Sequence, residues 1–360
     1  MKIGIIHGFV GGGGGTETTL LALIEALLEH KHTVNLYTVS KPTISLPKIK
    51  VQSIFPFRLP AFGLYQRYLE SKLTEKAQGD DLIVQVSGGL ALPHKKNQKI
   101  IIYCHHDFRK ETERDVTKYK GIWYAYYKPY YMLSQKFVSQ IGDKNVILVA
   151  NSRFIQDSLK NRFEKDSAVI YPPVDVDALY NNEKKEQEVL TISRYSQEKN
   201  LEFAIDVLND VDEQCTVIGN TKTKVTEIYY ERLVAKIKNS KSPRKILLLK
   251  NIERSKVIEK LKKSKVYFHA SPETFGISVV ESIAAGCIPI VPNNSAHKET
   301  VPFDDLRYEP DNKTEAQTKI KKALSGEYDN LLDRLRNSTS LYSKQYFKKS
   351  ITTFIENVGI

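Results

Sequence analysis

The feature that most constrains this chain is a run of short apolar segments alternating with amphipathic ones, broken off once and then begun again. Lys2–His7 is short, β-branched and closed by glycine, which reads as a buried strand. Thr18–His30 carries Leu20, Leu23, Ile24, Leu27 and Leu28 at helical spacing, and Thr33–Val39 returns to strand character. Strand, loop, helix and strand in this order open a doubly wound parallel sheet. Leu82–Gln85, Ile100–Cys104 and Val146–Ala150 add strands, and Arg153–Arg162 adds a helix with Asn151 or Ser152 as its cap. At Tyr171-Pro172-Pro173 the pattern stops, because paired prolines do not continue regular structure, and a charged run follows over Glu183–Glu188.

The alternation then restarts. Strands are expected at Val189–Ser193, Gln214–Ile218, Ile246–Lys250, Val266–Ala270 and Cys287–Val291. Helices are expected at Leu201–Leu208, Val225–Lys238, Ser255–Lys263 and Ile277–Ala285. The class is therefore α/β, with two Rossmann-like doubly wound domains facing a cleft, a common place for ligands. Residues 1–172 form the first domain, 173–188 a linker and 189–340 the second. The C-terminal stretch 341–360 is helical and is expected to pack back onto the first domain.

Composition narrows the function classes. The 360 residues suit two domains, and the formal charge is +12. A cationic surplus attracts polyanions, but here it is spread out, densest over Lys236–Lys265. A solvated surface is the leading reading and an anionic membrane surface the second. Cys104, Cys215 and Cys287 lie far apart in apolar runs without metal spacing, so buried free thiols in a reducing compartment are expected. The N-terminal apolar run is too short for a signal peptide, and no long apolar stretch predicts a membrane span. The expected place is the cytoplasm, leaning on the inner membrane face. No nucleic-acid motif is present, so no nucleic-acid partner is expected.

Four constellations carry chemistry. In Glu273–Glu281 a strand hands over to a helix, and the first amides of Gly276, Ile277 and Ser278 with the helix dipole form an anion site. Gly276 lets a ligand approach the backbone. Glu273 is placed to accept hydrogen bonds from sugar hydroxyls, and Glu281 from a ribose; a salt-bridged loop is the competing reading. In Ser193–Asn200 the cations Arg194 and Lys199 are spaced to converge on two phosphates, against the alternative of two solvated cations. Gly11–Gly15 lies between a strand and a helix and fits neither GxGxxG nor a P-loop; it reads as a phosphate or acceptor loop. Tyr103-Cys104-His105-His106-Asp107 ends a strand, where a histidine meets a sugar or phosphate. Asp175-Val-Asp177 reads as turn and capping chemistry, and no metal site is expected. The aromatic segment Ile122–Tyr131, flanked by Lys118, Lys120 and Lys136, suits either a membrane interface or the space between helices, with core the leading reading.

Taken in order, these motifs resemble the retaining glycosyltransferases of family four, which have the GT-B fold. Gly14-Gly15-Thr16-Glu17 looks like the family's glycine loop and Tyr103-Cys104-His105 like its strand-end histidine. Val149–Ser152 and Tyr171–Asp175 are similar to its later strand end and interdomain stretch. Arg194 and Lys199 match its diphosphate-binding pair, and Glu273 with Glu281 its Glu-x7-Glu motif. The segment Asn293–Glu299 departs from the family's Gly-Gly. The resemblance implies a metal-independent hexosyl transfer from a GDP- or UDP-sugar, with no further cofactor. The acceptor would be a glycan or a polyprenyl-linked oligosaccharide, as in similar mannosyltransferases. Arg194 and Lys199 would hold the diphosphate, with the backbone from Phe275 to Ser278 and the loop glycines Gly14 and Gly15. Glu281 would grip the ribose and Glu273 the transferred sugar, with His105 near sugar and acceptor. Two rival functions are a nucleotide-sugar epimerase on the same fold and a basic polyanion-binding module.

Overall fold

The computed structural model describes residues 1–47, 49–57, 63–93, 95–240 and 245–359. Residues 241–244 of the basic stretch and Ile360 of the expected terminal helix lie outside these. Internal contacts divide the chain into two units, Met1–Pro173 with Gln345–Ile360, and Val174–Lys344.

The first unit holds β1 Lys2–Ile6, β2 Thr33–Ser40, β3 Lys50–Phe55, β4 Leu82–Gln85, β5 Lys99–Cys104, β6 Val146–Ala150 and β7 Ser167–Val169. They form one parallel sheet in the order β3-β2-β1-β4-β5-β6-β7. Strand side chains alternate between faces. Ile3 and Ile5 therefore join Leu20, Leu23, Ile24 and Leu27 of the helix Gly15–Glu29, while Ile6, Ile83, Ile100 and Ile102 fill a second core on the other face. The last helix, Lys344–Gly359, brings Phe347, Ile351 and Ile355 into the first of these cores. Their spacing of four residues keeps them on one side of the helix. Lys348 adds ion pairs to Glu25, at 3.4 Å, and to Glu29.

The second unit holds β8 Glu186–Ile192, β9 Gln214–Gly219, β10 Ile246–Lys250, β11 Ser264–Phe268, β12 Ile288–Pro292 and β13 Arg307–Tyr308. The sheet is again parallel, in the order β10-β9-β8-β11-β12-β13. In each sheet the winding reverses beside the first strand, between β1 and β4 and between β8 and β11. The carboxyl ends of strands at such a point open a crevice that takes ligands.

Several expectations are corrected. The first helix begins at Gly15, within the glycine run, rather than at Thr18, because Gly14 adopts φ of 117° and ends the loop there. Ser152, not Asn151, caps the helix Arg153–Phe163, its Oγ accepting the Ile155 N–H at 3.2 Å. Most of the stretch expected as a linker, 173–188, is built into the second unit. Asn181 Nδ2 donates to the Lys262 carbonyl at 2.8 Å, and Lys185 Nζ donates to the carbonyls of Lys262 at 2.7 Å and Ala285 at 2.6 Å. Polar side chains there satisfy carbonyls at helix ends, which lack partners of their own. Asp175 stands at the cap position of the single turn Val176–Leu179 but makes no side-chain cap bond, so the capping role fails. The aromatic segment belongs to the helix Ile122–Gln140, and only part of it is core. Tyr130 and Phe137 are buried, whereas Ile122 is 81% exposed, Trp123 60% and Met132 60%. The three cysteines are buried and free.

Candidate functional site

The loops leaving β8 and β11 emerge at the same end of the second sheet, side by side at its point of reversal. Arg194 and Lys199 ride on the first loop, Glu273 and Gly276 on the second. Lys199 and Glu273 meet, with Lys199 Nζ donating to Glu273 Oε1 at 2.5 Å. The same oxygen lies 3.0 Å from Nε2 of His269, a buried histidine just past β11. His269 Nδ1 is 3.3 Å from the Tyr267 hydroxyl. The backbone of Glu273 is clamped as well. Its N–H donates to Ser295 Oγ at 3.0 Å, and its carbonyl accepts the Ala296 N–H at 3.1 Å. Asn293–Glu299 thus fastens Glu273 in place. Burial alone would raise this carboxyl, but His269 and Lys199 override burial and hold it down at about 2.

Gly276 ends this loop and starts the helix Ile277–Ala285 with φ of 87°, a left-handed conformation that favours glycine. A β-carbon there would lie 3.4 Å from Val279 Cγ2 and 3.5 Å from His297 Cε1. The amides of Val279 and Val280 return to the Gly276 carbonyl, leaving those of Ile277 and Ser278 at the helix mouth. Amides there have no carbonyl one turn back, and with the dipole they favour an anion. The Phe275 ring is buried against Tyr342, with centroids 5.3 Å apart, so Phe275 offers the site its backbone alone. His297 is fully buried behind Gly276, and burial pushes it down to about 3. Its Nε2 donates to the Ser271 carbonyl at 3.0 Å, while Nδ1 has no hydrogen-bond partner.

Glu281 lies one turn into the helix. Arg254 takes both of its oxygens, NH1 donating to Oε2 at 3.2 Å and NH2 to Oε1. Burial raises the Glu281 carboxyl and Arg254 opposes the rise without cancelling it. Arg194 is not part of this cluster. It is exposed and paired with Glu198 at 3.2 Å, so the two expected cations stand in separate ion pairs.

Sequence reasoning missed His269, Ser295, His297 and Arg254. One signal was available for Arg254, since it opens the helix Arg254–Lys263. A cation in a first turn opposes the helix dipole and needs a compensating anion.

The first unit contributes two further sets. In the glycine run, Glu17 Oε2 accepts the N–H groups of Gly11 at 2.6 Å and Gly12 at 3.0 Å, so the loop already cradles an anion of its own. Gly14 has open space where a β-carbon would stand, and Gly15 begins the helix. His105 Nε2 donates to the Val86 carbonyl at 2.8 Å. Burial pushes His105 down to about 3, His106 adding to the effect. His106 instead faces Glu111 at 3.3 Å, and Asp107 accepts from Ser158 at 2.6 Å, so the three neighbours diverge. Among the described residues no group of three or more His, Cys, Asp or Glu converges as a metal site. No described helix is long and apolar enough to cross a membrane.

Known proteins bear on this geometry. Residues 13–178 match the family model described as Glycosyltransferase Family 4, and residues 177–342 the one described as Glycosyl transferases group 1. The chain is 22% identical over 253 residues to a GDP-Man:Man(3)GlcNAc(2)-PP-Dol alpha-1,2-mannosyltransferase of Dictyostelium discoideum, a match covering 63% of this chain and 50% of that protein. The match thus spans about half the length of that relative. Anabaena HepE, solved in complex with UDP and glucose, is similar over 99% of both chains at 16% identity and a TM-score of 0.73. A sucrose-phosphate synthase from Thermosynechococcus elongatus is similar over 99% of this chain and 98% of its own, at 14% identity and a TM-score of 0.78.

Proposed function

This chain belongs to the family-four glycosyltransferases with the GT-B fold, and on that premise we propose that it moves a hexose of the mannose or glucose type from a GDP- or UDP-sugar, with retention of configuration, to a glycan or polyprenyl-linked acceptor. The observation that carries the reading is the Lys199–Glu273 pair at the mouth of the helix Ile277–Ala285. A cation, a helix start and a fastened carboxylate are the parts needed to hold a sugar diphosphate.

In this reading Lys199 and the amides of Gly276, Ile277 and Ser278 bind the diphosphate, and Arg194 leaves Glu198 to join them. Negative charge grows on the diphosphate as its bond to the sugar breaks, and these groups stabilise it there. They stand where other enzymes use a metal, so the transfer proceeds without one. Glu273 orients the sugar through its hydroxyls, and Glu281 accepts from the ribose. Gly14 and Gly15 approach the phosphates, and His105 lies by the sugar and acceptor. The acceptor oxygen bonds to the anomeric carbon as the diphosphate departs, and the acceptor proton passes to a donor phosphate oxygen on the same face. The acceptor binds the first unit and the donor the second. The enzyme works in the cytoplasm, at the inner membrane face. The family matches favour transfer over the epimerase and polyanion-binding alternatives.

The test is a thermal-shift screen with UDP-, GDP- and ADP-sugars, since a ligand that binds the native state raises apparent stability. It is followed by product analysis with chelator and with or without acceptor. One donor should stabilise the protein, and transfer should survive chelator and give the retained anomer. The Arg194→Ala variant should lose transfer far more than acceptor binding. An inverted product, or a new sugar formed without acceptor, refutes the reading.

A further inference from the structure

We infer that the exposed tip and outer face of the helix Ile122–Gln140 form a docking surface for an anionic lipid bilayer. Between Val116 and Gly142 the chain carries Lys118, Lys120, Lys128 and Lys136 and no Asp or Glu. The helix separates its residues by face. Tyr130, Ser134 and Phe137 are buried, and Ile122, Trp123, Tyr124 and Met132 are exposed. Tyr124, Lys128, Met132 and Lys136 recur every four residues and so form one outer stripe.

The tip is propped outward by a second layer of rings. Tyr126 meets Trp123 edge-on at 6.1 Å and lies 5.0 Å from Tyr65 on the neighbouring helix Gly63–Ser71. Tyr127 stacks on Tyr119 at 4.3 Å. The cations are held against aromatic faces, Lys128 at 5.4 Å from the Tyr124 centroid and Lys118 at 5.6 Å from that of Tyr119. Gly121 caps the helix without any side-chain hydrogen bond, so the first amides at this tip are open to an anion.

The chemistry selects the partner. Trp and Tyr settle at the headgroup level of a bilayer, and lysines beside them meet anionic headgroups. Phosphate oxygens also suit an open helix start. A protein partner would favour a centre depleted of charge, yet here lysines stand among the apolar side chains. The surface deepens the proposed function, for it would hold the enzyme where a polyprenyl-linked acceptor resides. It rests on that reading for its purpose alone.

Trp123 is the one tryptophan of the chain, so intrinsic fluorescence reports on this surface directly. The full chain is titrated with vesicles of phosphatidylcholine alone and of phosphatidylcholine mixed with phosphatidylglycerol. The mixed vesicles should shift Trp123 emission to the blue and sediment the protein, brominated lipid should quench the emission, and added salt should reverse binding. Lys118→Ala and Lys120→Ala should each lower vesicle affinity about fivefold, leaving the nucleotide-sugar thermal shift unchanged. No sedimentation, or sedimentation with Trp123 emission unmoved, overturns the proposal. An emission shift that follows protein concentration without lipid also overturns it and assigns the face to a second copy. Vesicle binding that persists while every nucleotide-sugar fails to stabilise the protein would instead sink the transferase reading and leave this surface standing.

Discussion

Arg254→Ala is the substitution whose consequences the geometry defines best. Glu281 has a side chain only 14% exposed, and Arg254 takes both of its oxygens. Burial already raises this carboxyl above its ordinary 4.5, with Arg254 opposing the rise. Tyr267 is the other titratable group that feels it. An adjacent cation favours the ionised carboxylate. Arg254 is 54% exposed, so solvent screens the pair, and its loss costs about 1 kcal/mol. A carboxyl raised in the folded state binds its proton more tightly there than in the unfolded chain. Its burden on stability is therefore absent below the unfolded value and grows as pH rises toward the folded one. The variant should be about 1 kcal/mol less stable than the parent at neutral pH, and the gap should close on acidification toward the ordinary 4.5. If Glu281 takes the ribose as proposed, donor KM should move the other way, rising as pH falls, because a protonated carboxyl accepts poorly from hydroxyls. Thermal unfolding and donor kinetics across that range read both slopes. A deficit constant with pH in both assays would refute the claim that Arg254 opposes the burial-driven rise of Glu281.

Gly276→Ala places a side chain at φ of 87°. The left-handed strain should cost about 1–2 kcal/mol in chemical denaturation, and donor KM should rise more than acceptor KM. Gly219→Ala drives a β-carbon to 2.2 Å from the Ser193 carbonyl and 2.9 Å from the Tyr195 ring. It should destabilise by about 1–3 kcal/mol and weaken donor binding by displacing the Arg194 loop. Glu17→Ala removes the acceptor of the Gly11 and Gly12 amides. Hydrogen exchange at those two amides should rise by about tenfold or more, for a lost bond worth about 1.5 kcal/mol, with the protection of β1 unchanged.

The fold was legible where periodicity is strongest. Leu201–Leu208 and Ile277–Ala285 were read to their ends, because apolar spacing and the left-handed Gly286 mark them. Among the edge strands Ile246–Lys250 was legible too, but Lys50–Phe55 and Arg307–Tyr308 were not. Lys50–Phe55 is only partly buried, and Arg307–Tyr308 has two residues, so neither carries a pattern long enough to see. The charged run leading into β8 misled because Lys185 and Glu188 look solvated in sequence. In the fold Lys185 satisfies helix-end carbonyls, while Glu188 is buried with Lys260 at 3.0 Å. At the site, Lys199 and Glu273 were findable from strand-end motifs. His269 and Ser295 were not: His269 turns back to Glu273 four residues on, within the loop after β11, and Ser295 reaches it only when the β12 loop meets that one, a meeting no local pattern encodes.

The return of the final helix to the first core has a consequence for biogenesis. Ile3, Leu23 and Leu27 emerge early from the ribosome, yet Phe347, Ile351 and Ile355, which complete their packing, emerge only after the entire second unit. Until then the nascent first unit leaves an oily groove unroofed, a state exposed to aggregation and to chaperone capture. Translation speed over the second unit therefore sets how long the cell must guard the first.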